Sequence, residues 1–237
     1  MDDLTPAERA AFTKITQLAA DAWAVTNGTE GHPLDPKLIS SLIYKRLWNN
    51  HLGFGYLWTA RLPVEASILM RCGVEAAICL AALRADPEAF ITLLKRDAAY
   101  SVKRQRAALV ANGGEAAGED VDGFIATLTG GARPAPLVWA DLAKAGSVPQ
   151  LYEVYSVLSS TSSHVTGMSI VEGATGGKVM SDHHDDLIEM TKQRPVQMAG
   201  TTLLGVASHA GTLGNAHLMN RAADLLEEVN QIQAGYL

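Results

Sequence analysis

Proline stands in this chain where only the first turn of a helix accepts it. Thr5-Pro6-Ala7-Glu8, Asp35-Pro36 and Asp86-Pro87 each place a capping side chain directly before a proline. The missing proline N–H costs nothing there, because the first N–H groups of a helix have no intrahelical partner. Thr5 and Glu8 also have the spacing of a capping box. Apolar residues recur at helical spacing after each start, and no long β-forming run or βαβ alternation intervenes. These signals predict an all-α chain, and they argue against a nucleotide-binding parallel sheet.

The first helix is expected to run to about residue 25, where Asn27-Gly28 and Gly31-His32-Pro33 break it. A second starts at Pro36 and carries Leu38, Leu42, Ile43 and Leu47. Its continuation through Gly53 and Gly55 is left open by the sequence. A third covers about residues 63–85, and Asp86 caps a fourth reaching about residue 111. Residues 112–136 turn to Gly, Ala and acids, which reads as an insertion or long loop with a short helix near 121–128. A short helix follows at 137–145. Another, capped by Ser147, runs through Tyr152, Tyr155 and Leu158 to end near His164. Two short β-capable runs around Gly173-Ala174-Thr175-Gly176-Gly177 predict a small hairpin. One long helix is expected over about 195–233. The whole, residues 1–237, reads as a single helical domain.

Composition narrows the function classes. With 48% hydrophobic and 19% charged residues the chain is globular in character. A net charge of −6 gives no overall attraction to nucleic acid, so such binding needs a local basic face. The acidic start lacks the basic-then-apolar pattern of a signal peptide. The uncharged stretch 196–219 holds too many polar residues for a convincing membrane span. Cys72 and Cys79 lie about 10 Å apart along one helix, too far for a disulfide, and read as reduced core thiols. A cytoplasmic location without a membrane partner is expected.

Four groups of residues carry chemistry. Arg71 and Glu75 sit at i and i+4 in an otherwise apolar helix, in the order that stabilises helices less, so propensity does not explain them. They read as a structural ion pair or as an anion-binding arginine oriented by a carboxylate. His164 follows Ser159, Ser160, Thr161, Ser162 and Ser163, with Ser160 one turn before it. It reads as a helix cap or as a proton-transfer group partnered by Ser160. Lys95, Arg96, Lys103 and Arg106 fall within an arc of about 100° on the fourth helix, as a solvated face or a phosphate-tracking stripe. Asp182-His183-His184-Asp185-Asp186, with His209 and His217 as further donors, has metal-like composition but no established ligand spacing. No metal and no cofactor are expected.

The motifs together carry a resemblance. Arg71-Cys72-Gly73-Val74-Glu75, then Asp86-Pro87-Glu88, then Tyr152/Tyr155, Ser159/Ser160 and His164 resemble a bacterial all-helical family of unknown function over about residues 40–170. More remotely the chain is similar to the HEPN superfamily (higher eukaryotes and prokaryotes nucleotide-binding). That similarity implies a helical bundle, often dimeric, whose members include metal-independent ribonucleases and RNA-binding partners in defence and toxin–antitoxin systems. The superfamily's nuclease signature is an arginine separated from a histidine by four to six intervening residues. Here Val157, Leu158 and Ser159 stand before His164, so Arg71 would have to supply the cation from another helix. The resemblance implies a protein directed at RNA or a nucleotide, and a homo-oligomer. His164 would be the general acid–base, Arg71 the phosphate stabiliser and Glu75 its orienter. A non-catalytic helical interaction protein is the competing reading, and a metal-dependent hydrolase using residues 182–186 a third.

Overall fold

The computed structural model describes residues 4–113, 120–161 and 188–234. Among these the chain is helical, and no strand occurs. The expected hairpin, His164 and the 182–186 cluster lie outside the described residues. The helices are α1 (Pro6–Thr26), α2 (Pro36–Thr59), α3 (Pro63–Ala85), α4 (Pro87–Ala111), α5 (Asp120–Thr129), α6 (Trp139–Ala145), α7 (Pro149–Thr161), α8 (Arg194–Leu213) and α9 (Ala216–Ala234).

The caps form as their residue types require. The Thr5 hydroxyl accepts from the Glu8 N–H at 3.3 Å, and Glu8 Oε2 accepts from the Thr5 N–H at 2.7 Å. Asp35 accepts from the Lys37 N–H at 2.7 Å. Asp86 ends α3 by donating its N–H to Ala82 and starts α4 by accepting from the Ala89 N–H at 3.0 Å. That single shared residue lets two long helices meet with no loop between them.

α2 runs unbroken through Gly53 and Gly55. A Cβ on Gly53 would come within 2.6 Å of Leu69 Cδ1, so the absent side chain leaves room on α2 for the Leu69 side chain of α3. That packing offsets the helix-weakening cost of glycine, about 1 kcal/mol. One expected core residue faces outward: Leu42 is 57% exposed. The buried face of α2 is instead Ile39, Ser40, Tyr44, Leu47 and His51.

The single C-terminal helix expected over 195–233 is two helices. Gly214 takes the left-handed conformation, φ 76°, which a side chain would resist. The Asn215 N–H then bonds back to the Ala210 carbonyl at 2.8 Å, and Asn215 Oδ1 caps the next helix through the Leu218 N–H at 3.1 Å. Apolar spacing continues on both sides of this stop, so periodicity alone hid it.

α3 lies at the centre, against α2, α4, α6, α7 and α8. By length and composition it could cross a membrane, yet 72% of its most apolar window is buried in the protein, as in a core helix that is apolar all round. On one side Met70, Val74 and Ile78 join Phe54 and Trp58 of α2, Phe90 of α4, Leu142 of α6 and Leu151 and Leu158 of α7. On the other, Ala76 and Leu80 meet Ile15 and Leu18 of α1, Leu47 of α2, Val206 of α8 and Leu218 of α9.

Two buried histidines stitch α1, α2 and α8 together. His51 Nε2 lies 2.8 Å from the Thr16 hydroxyl, and its Nδ1 lies 2.9 Å from that of Thr202. His209 Nε2 lies 2.7 Å from the Thr26 hydroxyl and its Nδ1 2.7 Å from that of Ser40. Thr16 and Thr26 spend their own hydrogens on the Phe12 and Ala22 carbonyls, at 2.8 and 2.6 Å. Each therefore accepts from Nε2–H, which leaves each Nδ1 to accept from the second hydroxyl. The rings stack on Phe12 and Tyr44, with centroids 4.7 and 4.5 Å apart. The pairings run α1 and α8 antiparallel to α2.

Candidate functional site

α3 brings Arg71 to the edge of the core opposite α7. Its Nη2 lies 2.9 Å from Glu75 Oε1, and the two side chains are 20% and 23% exposed. Arg71 Nε donates to the Ser159 hydroxyl at 2.9 Å, and Nη2 donates to the Tyr155 hydroxyl at 3.2 Å. The guanidinium also lies 5.0 Å from the centroid of the Tyr155 ring. Three partners on two helices thus fix its plane, while Nη1 donates to no described residue. A guanidinium held this way keeps donors available for an anion with little ordering cost left to meet.

Aromatic rings continue from this point. Tyr155 contacts Tyr152, with centroids 6.0 Å apart, and Trp139 of α6 at 5.6 Å. Tyr152 is 38% exposed. Partly open aromatic faces beside a fixed cation suit a planar, anionic ligand.

Burial pushes the Glu75 carboxyl above its ordinary value, against the opposing pull of Arg71 and of Arg46 on α2. Burial, with Glu75 beside it, also raises the Cys72 thiol. Burial pushes Cys79 up to about 12. Neither thiol is an activated nucleophile.

Of the residues singled out in the sequence, Arg71 and Glu75 meet as an ion pair. The hydroxyl on Arg71 belongs to Ser159, whereas Ser160 donates to its own helix at the Val157 carbonyl, 2.8 Å away. The four cations of α4 do not form an open line. Arg96 Nε donates to the Arg133 carbonyl at 2.9 Å, and Arg106 pairs with Asp122 of α5 at 2.9 Å. They hold the 130–137 segment and α5 against α4, helped by Asp97, which accepts from the Leu137 N–H at 3.0 Å. Lys95 is half-buried, and Lys103 is exposed. His209 offers no lone pair to a metal, since both its ring nitrogens are engaged. No cluster of three metal-ligating side chains occurs among the described residues.

Arg46 and the aromatic neighbour Trp139 were not legible as parts of this site, because they come from other helices at separations no local pattern reports. No family model, curated protein or solved structure matches the chain.

Proposed function

We propose that the protein binds RNA or a nucleotide, with Arg71 as its phosphate contact and Tyr152 as a stacking face. The observation that carries this reading is the anchored guanidinium, with Nη1 unpartnered among the described residues, beside half-open rings. The HEPN-like motifs of the sequence point the same way. In the catalytic form of the reading, His164 is the general acid–base of a metal-independent ribonuclease, Arg71 stabilises the phosphate and Glu75 orients Arg71. Lys95 and Lys103 extend the contact to further phosphates, while Arg96 and Arg106 are engaged with the 130–137 segment and α5. The protein acts in the cytoplasm as a homo-oligomer.

Labelled single-stranded RNA and ATP, titrated in EDTA at two salt concentrations, test it. Binding weakens as salt rises, Arg71→Gln weakens it at least about 10-fold, and His164→Ala removes turnover while sparing affinity. Absence of binding at low salt by folded protein rejects the reading. Activity that needs a divalent ion moves the assignment to residues 182–186.

A second reading, a helical interaction module, has its own observation. The end of α4 exposes Leu109 and Val110, and α5, packed on α4, exposes Phe124, apolar side chains of the kind a partner helix covers. Light scattering of the wild type and of Phe124→Asp, read beside the RNA titration, decides it: a dimer that dissociates on substitution, in a protein that binds neither RNA nor ATP at low salt, favours this reading.

A further inference from the structure

α7 works with two faces. Wound at about 100° per residue, Tyr152, Tyr155 and Ser159 lie together on the Arg71 side, and Gln150, Glu153 and Val154 fall about 180° away. That second face forms, with α8 and α9, a groove of about 410 Å³, within the size range of small-molecule sites. Its walls mix apolar side chains, among them Val154, Val196, Leu204 and Leu226, with the polar Gln150, Gln193, Thr201 and Asn230.

Two further polar groups bear on what the groove can hold. Gln197 Oε1 is buried and accepts no hydrogen bond from the described residues, an arrangement that costs stability unless a donor comes to it. Glu153 is the sole ionisable side chain among the described lining residues, and it pairs with no described cation. Arg194, at the adjoining depression, already has a partner. The groove thus offers one unmet acceptor, one carboxylate, and apolar side chains interspersed with neutral polar ones.

We infer that this groove binds a small apolar molecule bearing a protonated amine. The apolar body takes the walls, an N–H of the ammonium meets Gln197 Oε1, and its charge faces Glu153. An anionic ligand meets no cation among the groove's described lining residues and is disfavoured. The site is separate from the Arg71 site and does not depend on its function.

The probes are n-octylamine, 1-octanol and octanoate, equal in chain length and different in head group, titrated by calorimetry at neutral pH. Octylamine is expected to bind saturably and about 10-fold or more tighter than octanoate, with octanol between them. Glu153→Gln, a change at an exposed side chain, should bring octylamine and octanol to about equal affinity. Gln197→Leu should weaken both by about 5- to 30-fold. Arg71→Gln should bind octylamine as the wild type does, so loss of RNA binding and loss of this site are read separately. Octanoate binding as tightly as octylamine would mean that the amide presents its NH₂ group, and it overturns the inference. So does the absence of saturable octylamine binding by folded protein, or Glu153→Gln and Gln197→Leu both behaving like the wild type.

Discussion

Acid should unfold this protein through His51 and His209 before it titrates most of its carboxylates. Both rings are fully buried, and burial holds each pKa down to about 4, against an ordinary value of about 6.5. The unfolded chain therefore takes up the proton first. Stability contributed by the neutral rings is intact above about pH 6.5, declines below it and is fully lost near pH 4. For values of about 4 and 6.5, the loss at pH 5 is about 2 kcal/mol per histidine, or about 4 for the pair. Domain stabilities are about 5–15 kcal/mol, so this is a large fraction. Glu75, raised chiefly by burial, acts in the opposite sense, because the folded protein takes up its proton first. It is one partly exposed group and offsets only part of the loss. Asp21 is held below its ordinary value by hydrogen bonds from Gln17 and Arg221. Its stabilisation fades below about pH 4, after the histidine window. Urea unfolding followed by circular dichroism at pH 7, 6 and 5 measures the slope. His51→Gln and His209→Gln, though less stable at pH 7, should each lose about half of it. A flat profile from pH 7 to 5, or a slope unchanged in both variants, refutes the reasoning.

Three further outcomes follow from packing and burial. Gly146→Ala should cost about 1–3 kcal/mol, since its Cβ would lie 2.7 Å from Ala81 Cβ and 2.9 Å from the Ala81 carbonyl carbon, and thermal unfolding should fall by several degrees. Gly123→Ala, with nothing near its Cβ, should strengthen α5 by about 0.5–1 kcal/mol, read as slower amide exchange there. With a disulfide thiol reagent at pH 8, Cys79 should stay unreactive until the chain unfolds, and half-exposed Cys72 should react first but slowly. Native-state reaction of Cys79 at the unfolded rate contradicts its placement.

Helix starts were legible because Thr, Asp and Pro act within one turn, and the capping geometry at Thr5, Asp35 and Asp86 follows from those residues alone. The stop at Gly214 was not, because glycine inside an apolar pattern signals only when the chain on either side has somewhere else to go. Leu42 misled for a related reason. Apolar character marks what can be buried, and the choice of Ile39, Tyr44 and Leu47 for the core depends on where α1, α3 and α8 lie. Arg71 and Glu75 stood out because charge in an apolar helix is conspicuous. The choice of Ser159 over Ser160 depends on the rotation of α7 about its own axis, which Leu151 and Leu158 set by burying themselves against α3.

The two imidazole bridges also bear on structures that never form. α1, α2 and α8 have apolar faces that would still meet if α8 slid along its neighbours by one turn, about 5.4 Å. Such a slide carries Thr202 from His51, and His209 from both Thr26 and Ser40. Several buried polar atoms would then face hydrocarbon, each at about 1–3 kcal/mol. An all-leucine interface would give the slipped and correct arrangements nearly equal energies. The bridges act mainly as a penalty on wrong arrangements, so replacing both histidines with well-fitting apolar residues should yield a chain that remains helical but samples several alignments of α8.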